Sequence, residues 1–536
     1  MNHATDGLQV LDWMCIAFYA CATIGIGWYF GRQQSSTKEY FVGRGHMNPI
    51  LIGVSLFVTL LSTISYLSKP GEALGKGPVF LASLIAYPFV FYIVGYVLLP
   101  VYMKHRVTSA YELLEARLGL GARLLGGVMF ISLRLVWMSL LVYLAARAMT
   151  VMIGVSENWI PAIVLATGFV AVIYTSVGGL RAVVVTDMMQ FLLLLSGALL
   201  VIAIITVNMG GFSWFPTEWK SHWDTQPIIS FDPSTRVSLV GIVIMMATWV
   251  VCTAGGDQTS VQRFMATENA ASARQAYAIQ LTASSIVAVV LTFVGFALLG
   301  YFEAYPGELP EGMDLYAEAD NIFPWFIAHK LPMGVAGLVV SAMFAAAMSS
   351  IDSGVNSITA VVMTDFLDRF GIQPKTKRGH VLSAKLLAFA IGAIVVVGST
   401  FMGAVPGNIT AVTNKTVNLL TSPLFGLFFF ALFVPFARPV AVWIGAICGM
   451  VTAAVIAFSG PLVTWLHFQW GIPVETFGVA LQDKVDKLSG ETYQLANDPI
   501  SFMWIGPCAL IVHMVVGLVL SWVMSRRNSN EIAGNE

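Results

Sequence analysis

Polar residues in this chain gather in short intervals between long apolar runs, and the runs recur from Leu11 to Met524. A helix rises 1.5 Å per residue, so about 20 apolar residues cross the ~30 Å of bilayer hydrocarbon. Thirteen runs, centred near residues 20, 60, 90, 137, 167, 194, 246, 288, 342, 392, 426, 449 and 513, predict an all-α polytopic membrane protein of about 13 transmembrane helices. An odd count places the termini on opposite sides of the bilayer. The first run follows MNHATDGLQVLD, which lacks a basic n-region, and continues to spanning length, so it is expected to be a retained helix and not a cleaved signal.

Several runs carry polar residues that lipid-facing helices avoid. In FAAAMSSIDSGVN (Phe344 to Asn356), Ser349, Asp352, Ser353 and Asn356 fall at i, i+3, i+4 and i+7, which is one stripe of a helix. An intramembrane carboxylate among hydroxyls is expensive to bury, and an ion or substrate that supplies its partner is the usual reason to keep it. The second run, SLFVTLLSTISYLSKPG, packs Ser55, Thr59, Ser62, Thr63, Ser65 and Ser68 before Pro70 and Gly71; the seventh places Thr253, Gly255 and Gly256 before Asp257. Breaks of this kind free backbone carbonyls for a cation, although small and hydroxyl residues also let helices pack closely. A bare cation needs roughly six oxygens, more than one helix supplies, so the three segments read as parts of one site. Asp187 lies within the sixth apolar run, which continues to Val207. It is either a helix-start acid near the interface or a cation ligand or proton relay.

Composition sharpens the class: 57% of the 536 residues are hydrophobic and 11% charged, with a net charge of −1. Lys and Arg concentrate in alternate loops, including Arg32, Lys38, Lys104, Arg117, Lys375, Lys377, Arg526 and Arg527, which puts the N-terminus outside and the C-terminus in the cytoplasm of a plasma or bacterial inner membrane. The external loops, with the longest at 461–498, are too small for a folded domain. The five cysteines lie in apolar runs without CxxC pairing and read as buried small hydrophobes. No basic stripe suits a nucleic acid, no GxxxxGK[ST] segment suits an ATP-driven pump, and no repeated filter suits a channel. An enzyme would need acids and histidines in reach of one another, and no such constellation is found. Secondary transport of a small solute remains.

Five motifs in order then carry a resemblance: YFVGRGHMNP with SLFVTLLST, RVTSAYELLEARLG, GGLRAVVVTDMMQ, GGDQTSVQRFMA and AAAMSSIDSGVNSITAVVMTDF. With these the chain resembles the sodium/solute symporter family over nearly its full length. The resemblance implies a leucine-transporter-type fold: an N-terminal extra helix and loop (1–47), two inverted five-helix repeats (48–207 and 236–436) separated by an external loop (208–235), and two C-terminal extra helices (437–536). It also implies Na+ as the coupling ion. The first sodium site would use the carbonyls of Val58, Leu61 and Ala346 and the hydroxyls of Ser349 and Ser350. A second, found in some members, would use Asp187, Asp352 and Ser353. A hydroxyl is common where this chain has Asp352, so that carboxylate would either strengthen the site or favour proton coupling.

The solute is expected near the bilayer midplane, within reach of Ser62, Ser65 and Thr253. The Glu-Gln pair of sugar-binding members is absent near Ile64 and Ser65. Arg134 would meet either a solute carboxylate or a buried acid such as Asp187. Trp137 would stack on a sugar ring or simply pack. The expected activity is sodium-coupled import of a sugar, sialic acid or other carboxylate by alternating access. A proton-coupled symporter and a non-transporting membrane sensor are the alternatives, and the oligomeric state is left open.

Overall fold

The structure is a computed structural model that describes residues 8–32, 37–42, 45–61, 63–105, 107–372, 374–402, 409–485 and 492–533. The first span, α1 (Val10–Gly31), and a short α2 (Thr37–Val42) precede a broken span made of α3 (Pro49–Leu60) and α4 (Thr63–Lys76), whose arms bend by 62°. A continuous column follows: a 3-10 stretch Pro78–Ala86, α5 (Tyr87–Tyr92), a π-helical turn Ile93–Leu98 and α6 (Leu99–His105). Two long helices come next. In α7 (Glu112–Ile153) Gly119 has φ 81°, and α8 (Ile160–Asn208) is interrupted at Gly179, with φ 63° and ψ −176°. Both are left-handed-side conformations that glycine adopts without a Cβ penalty.

The second half opens with α9 (Leu239–Gly256), which ends at a break with Asp257 extended, followed by α10 (Gln258–Met265) and α11 (Ala270–Ala304). Then come α12 (Ala319–Lys330), α13 (Val335–Val361) with a π turn at Val362–Leu367, α14 (Lys377–Ser399), α15 (Ile409–Phe433), α16 (Pro439–Ala457), α17 (Ser459–Trp470) and α18 (Ile505–Ala533). Local chemistry writes the helix starts. Asn48 accepts from the Ile50 N–H at 2.8 Å with Pro49 in the first turn, Ser238 caps α9, Asn269 caps α11 and Thr376 caps α14.

Among the described residues, eleven helices are long and apolar enough to span, or twelve with α3 and α4 as one broken span. The fifth run, expected near residue 167, falls in the shorter apolar segment Glu157–Ile173, ahead of the Gly179 break. The 461–498 loop holds α17 and a two-stranded antiparallel hairpin, Leu481–Val485 with Thr492–Ala496. Its polar strands give no apolar alternation to announce them.

α13 is the most enclosed of the spanning helices: every residue but Val335 and Leu338 is buried. It packs against α1, α3, α7 and α8, while α11 runs along α3 and α4. The α9–α10 break is held close to α15, where a Cβ on Gly256 would lie 3.1 Å from the Phe425 Cα. At the opposite end of α13, Arg123 Nε reaches Asp365 at 2.6 Å and Arg123 Nη1 reaches Glu115 at 2.6 Å, while the Ser109 hydroxyl donates to Asp365. This clamp ties the start of α7 to the end of α13. Arg123→Ala leaves the buried Asp365 charge unpaired, and is expected to cost about 3–5 kcal/mol. A fall in the unfolding midpoint of the purified protein checks this; an unchanged midpoint contradicts it.

Candidate sodium and solute site

The broken span supplies one wall of the site. Leu61, with φ −81° and ψ 107°, ends α3 in extended backbone, so its carbonyl leaves the helical ladder. Val58, Leu61 and Ala346 are buried, and Ser349 and Ser350 are buried on the facing side of α13. The Ser350 hydroxyl donates to the Thr59 carbonyl at 3.1 Å, docking α13 on the last turn of α3. The Ser349 hydroxyl donates to Asp187 Oδ1 at 2.5 Å. A hydroxyl that donates to a carboxylate keeps its lone pairs for a cation, and polarisation strengthens them as donors to it. Ser350 therefore sits against the last turn of α3, which carries Val58 and leads into the extended Leu61, while Ser349 is turned to Asp187.

Asp187 is the electrostatic centre beside that interface. It is fully enclosed on α8 and accepts from Ser55 at 2.5 Å as well as from Ser349. Its counter-charge is Arg263 on α10, whose Nη2 lies 3.5 Å away. The guanidinium is itself fully buried and donates to Ser55 at 2.8 Å, to the Thr259 carbonyl at 3.2 Å and to Ser353. Ser353 also bonds the Thr59 hydroxyl at 2.8 Å. Asp187 and Ser353, two of the three residues expected for a second sodium site, are thus bridged by Arg263. A second sodium placed there would share the Asp187 carboxylate with the guanidinium. Asp352 accepts from Thr175 on α8 at 2.5 Å. Arg263 lay unremarked within GGDQTSVQRFMA; the signal for it was the requirement that a buried acid in a membrane find a cation.

A cavity of about 160 Å³ lies beyond the break and extends toward the face that carries the 208–238 loop. Ser65 and Trp137 line it, together with Phe57, Trp249, Gln280 and Asn414. Below it, a pocket of about 20 Å³ is lined by Arg134, Thr253 and Asp257, with Leu60, Trp137, Trp249 and Val417 shared between the two. Arg134 pairs with Asp257, the residue that breaks α9 from α10, and not with Asp187. Its Nε and the Thr253 Oγ1 are buried without hydrogen-bond partners among the described residues, and both residues line that pocket. Ser62, a further expected solute contact, lies outside the described residues.

The family profile described as Sodium:solute symporter family matches residues 40–452. The chain belongs to the sodium:solute symporter family. It is a sodium-coupled solute symporter of a multi-pass, all-α transporter family. The sodium/sialic acid symporter NanT of Aliivibrio fischeri is 30% identical, aligned over 82% of this chain and 86% of its own length. The sodium/sialic acid symporter SiaT of Proteus mirabilis is 28% identical over 83% of this chain and 89% of that one. Sodium-coupled monocarboxylate transporter 1 of Mus musculus is 26% identical over 88% of this chain and 77% of that one. Among solved structures, a substrate-bound outward-open Na+-coupled sialic acid symporter shares the fold, with a TM-score of 0.77 at 24% identity over 96% of this chain and 98% of that one.

The Asp187–Arg263 pair has an asymmetric consequence. Arg263→Gln alone leaves a buried carboxylate without a cation and is expected to destabilise by about 3–5 kcal/mol, whereas adding Asp187→Asn to it restores much of the loss. Thermal unfolding of the two single variants and the double variant measures this. Strictly additive losses would show that the pair does not act as a unit.

Proposed function

We propose that this symporter imports a small organic carboxylate of the sialic acid or monocarboxylate type, driven by sodium bound between the end of α3 and the hydroxyls of α13. The observation that carries the reading is the junction itself: Ser349 and Ser350 oppose the extended end of α3 while Asp187 polarises Ser349. Five oxygens there, from Val58, Leu61, Ala346, Ser349 and Ser350, form the proposed sodium cage. The carboxylate class is supported by the substrates named for the sialic acid and monocarboxylate relatives. The cavity supports it too, since hydroxyls and amides alternate there with the faces of Phe57, Trp137 and Trp249, which suits a polar solute with some apolar body.

The cycle is alternating access. Sodium enters from the face of the 208–238 loop and draws Ser350 from the Thr59 carbonyl toward the cage. That fixes the α3–α4 break against α13, and the fixed break completes the wall of the solute cavity. Solute binding then favours a rearrangement that opens the opposite face. We place the N-terminus outside, the C-terminus in the cytoplasm and the protein in a bacterial inner membrane, following the Lys and Arg bias of alternate loops. Asp187, Asp352 and Ser353 are retained as a candidate second cation site only in so far as Arg263 yields the carboxylate. Sodium and solute binding are reciprocal in this scheme.

Ser349→Ala and Ser350→Ala are each expected to raise the sodium concentration for half-maximal uptake about tenfold, in line with a lost ligand of roughly 1–2 kcal/mol. Solute affinity at fixed sodium should weaken alongside. Uptake of labelled sialic acid and of labelled lactate into proteoliposomes, with sodium or potassium outside, provides the readout. Unchanged sodium activation in Ser349→Ala would sink the site assignment.

A further inference from the structure

Of the charged side chains that face the main cavity, one is left unmatched among the described residues. Lys69 lies on α4, one turn beyond Ser65, and lines the cavity in a half-buried position. Glu72, a turn further along, lines the same cavity, but its carboxylate is engaged by Arg236 at 2.5 Å, and Arg236 also holds Asp224 at 2.6 Å. Arg134, at the floor, is neutralised by Asp257. Among the described residues, the Lys69 ammonium meets neither a carboxylate at ion-pair distance nor a hydrogen-bond acceptor. A lysine within a membrane span and without a counter-charge is costly, and the usual reason to keep one on a cavity wall is an anion that arrives with the ligand.

Neighbouring groups fit the same occupant. Thr413 Oγ1, on the cavity wall, and Thr253 Oγ1, at the floor, are buried polar atoms without partners. Both await a donor or acceptor that the described residues do not provide. The apolar faces of Phe57, Trp137 and Trp249 line the same cavity.

We propose that Lys69 is the anchor for the solute carboxylate, with the aromatic walls holding the solute body and the Thr253 and Thr413 hydroxyls meeting its polar substituents. This rests on the carboxylate reading above and names the residue that enforces it. The role that the sequence offered to Arg134 passes to Lys69, because Asp257 already neutralises the Arg134 charge. The protein then separates carboxylates from neutral analogues of the same shape by charge, and Lys69 is the specificity determinant.

The test is binding of N-acetylneuraminic acid and L-lactate, each beside its uncharged carboxamide, to the purified full chain in sodium. The variants are Lys69→Gln and Lys69→Arg. A charge-assisted hydrogen bond in such a cavity predicts that the wild type prefers at least one carboxylate to its amide by about 10- to 100-fold. Lys69→Gln should abolish that preference and Lys69→Arg should keep part of it. The thermal stabilisation given by sodium alone should be the same in all three proteins, which separates a binding role from a structural one. Lys69→Gln with wild-type carboxylate preference would overturn the assignment of Lys69 while leaving the carboxylate reading intact. A wild type that binds the amides as tightly as the acids overturns the proposal without any variant. No sodium-dependent binding of either acid to the wild type would instead overturn the functional reading on which the proposal rests.

Discussion

The buried carboxylate of Asp187 joins four elements that are far apart in the chain. From α8 it takes hydrogen bonds from Ser55 on α3 and Ser349 on α13, and an ion pair from Arg263 on α10. In low-dielectric surroundings a charge so enclosed must be fully satisfied, and any movement of α3, α10 or α13 that separates its partners is strongly opposed until another charge replaces them. The sodium proposed at the neighbouring α3–α13 junction would be such a charge. The transport cycle can therefore be read as an exchange of partners around one fixed anion, in which Ser349 belongs both to the carboxylate and to the cation cage.

Helix breaks make that exchange physically available. Hydrocarbon permits irregular backbone only where it is enclosed by protein or lines a cavity, and the breaks near Leu61 and Asp257 do both. Leu61 opens α3 toward α13 on one side and lines the solute cavity on the other. Asp257 caps α10 through the Thr259 N–H at 2.8 Å while holding Arg134 beneath the cavity floor. Each break therefore connects the ion region to the solute region through one residue. Arg236 closes the far end of the same cavity by tying Glu72 of α4 to Asp224 in the 208–238 loop, so a shift of α4 at the break is felt at the cavity mouth.

Much of this was legible in the sequence. The stripe of Ser349, Asp352, Ser353 and Asn356 was visible because helical periodicity is local, and the broken second and seventh spans were visible because Gly, Pro and hydroxyl clusters are rare in plain spanning helices. The partners were not, because they are set by packing between distant helices. Ser349 and Ser353 turn toward Asp187 and Arg263, while Asp352 turns to Thr175. Arg134 could have met a solute or an acid, and only the fold brings Asp257, 123 residues away, beneath it. Lys69 stands in plain view in SYLSKPG, yet its significance lies in having no counter-charge among the described residues, which a sequence does not display.

The measurement closest to the central claim is a pair of binding isotherms read by the fluorescence of Trp137 and Trp249 in the cavity wall. One titrates sodium with and without saturating solute; the other titrates solute with and without saturating sodium. If the α3–α13 junction is what completes the solute cavity, each ligand tightens the other by the same factor, on the order of 5- to 150-fold. Sodium binding that is indifferent to saturating solute would contradict the account.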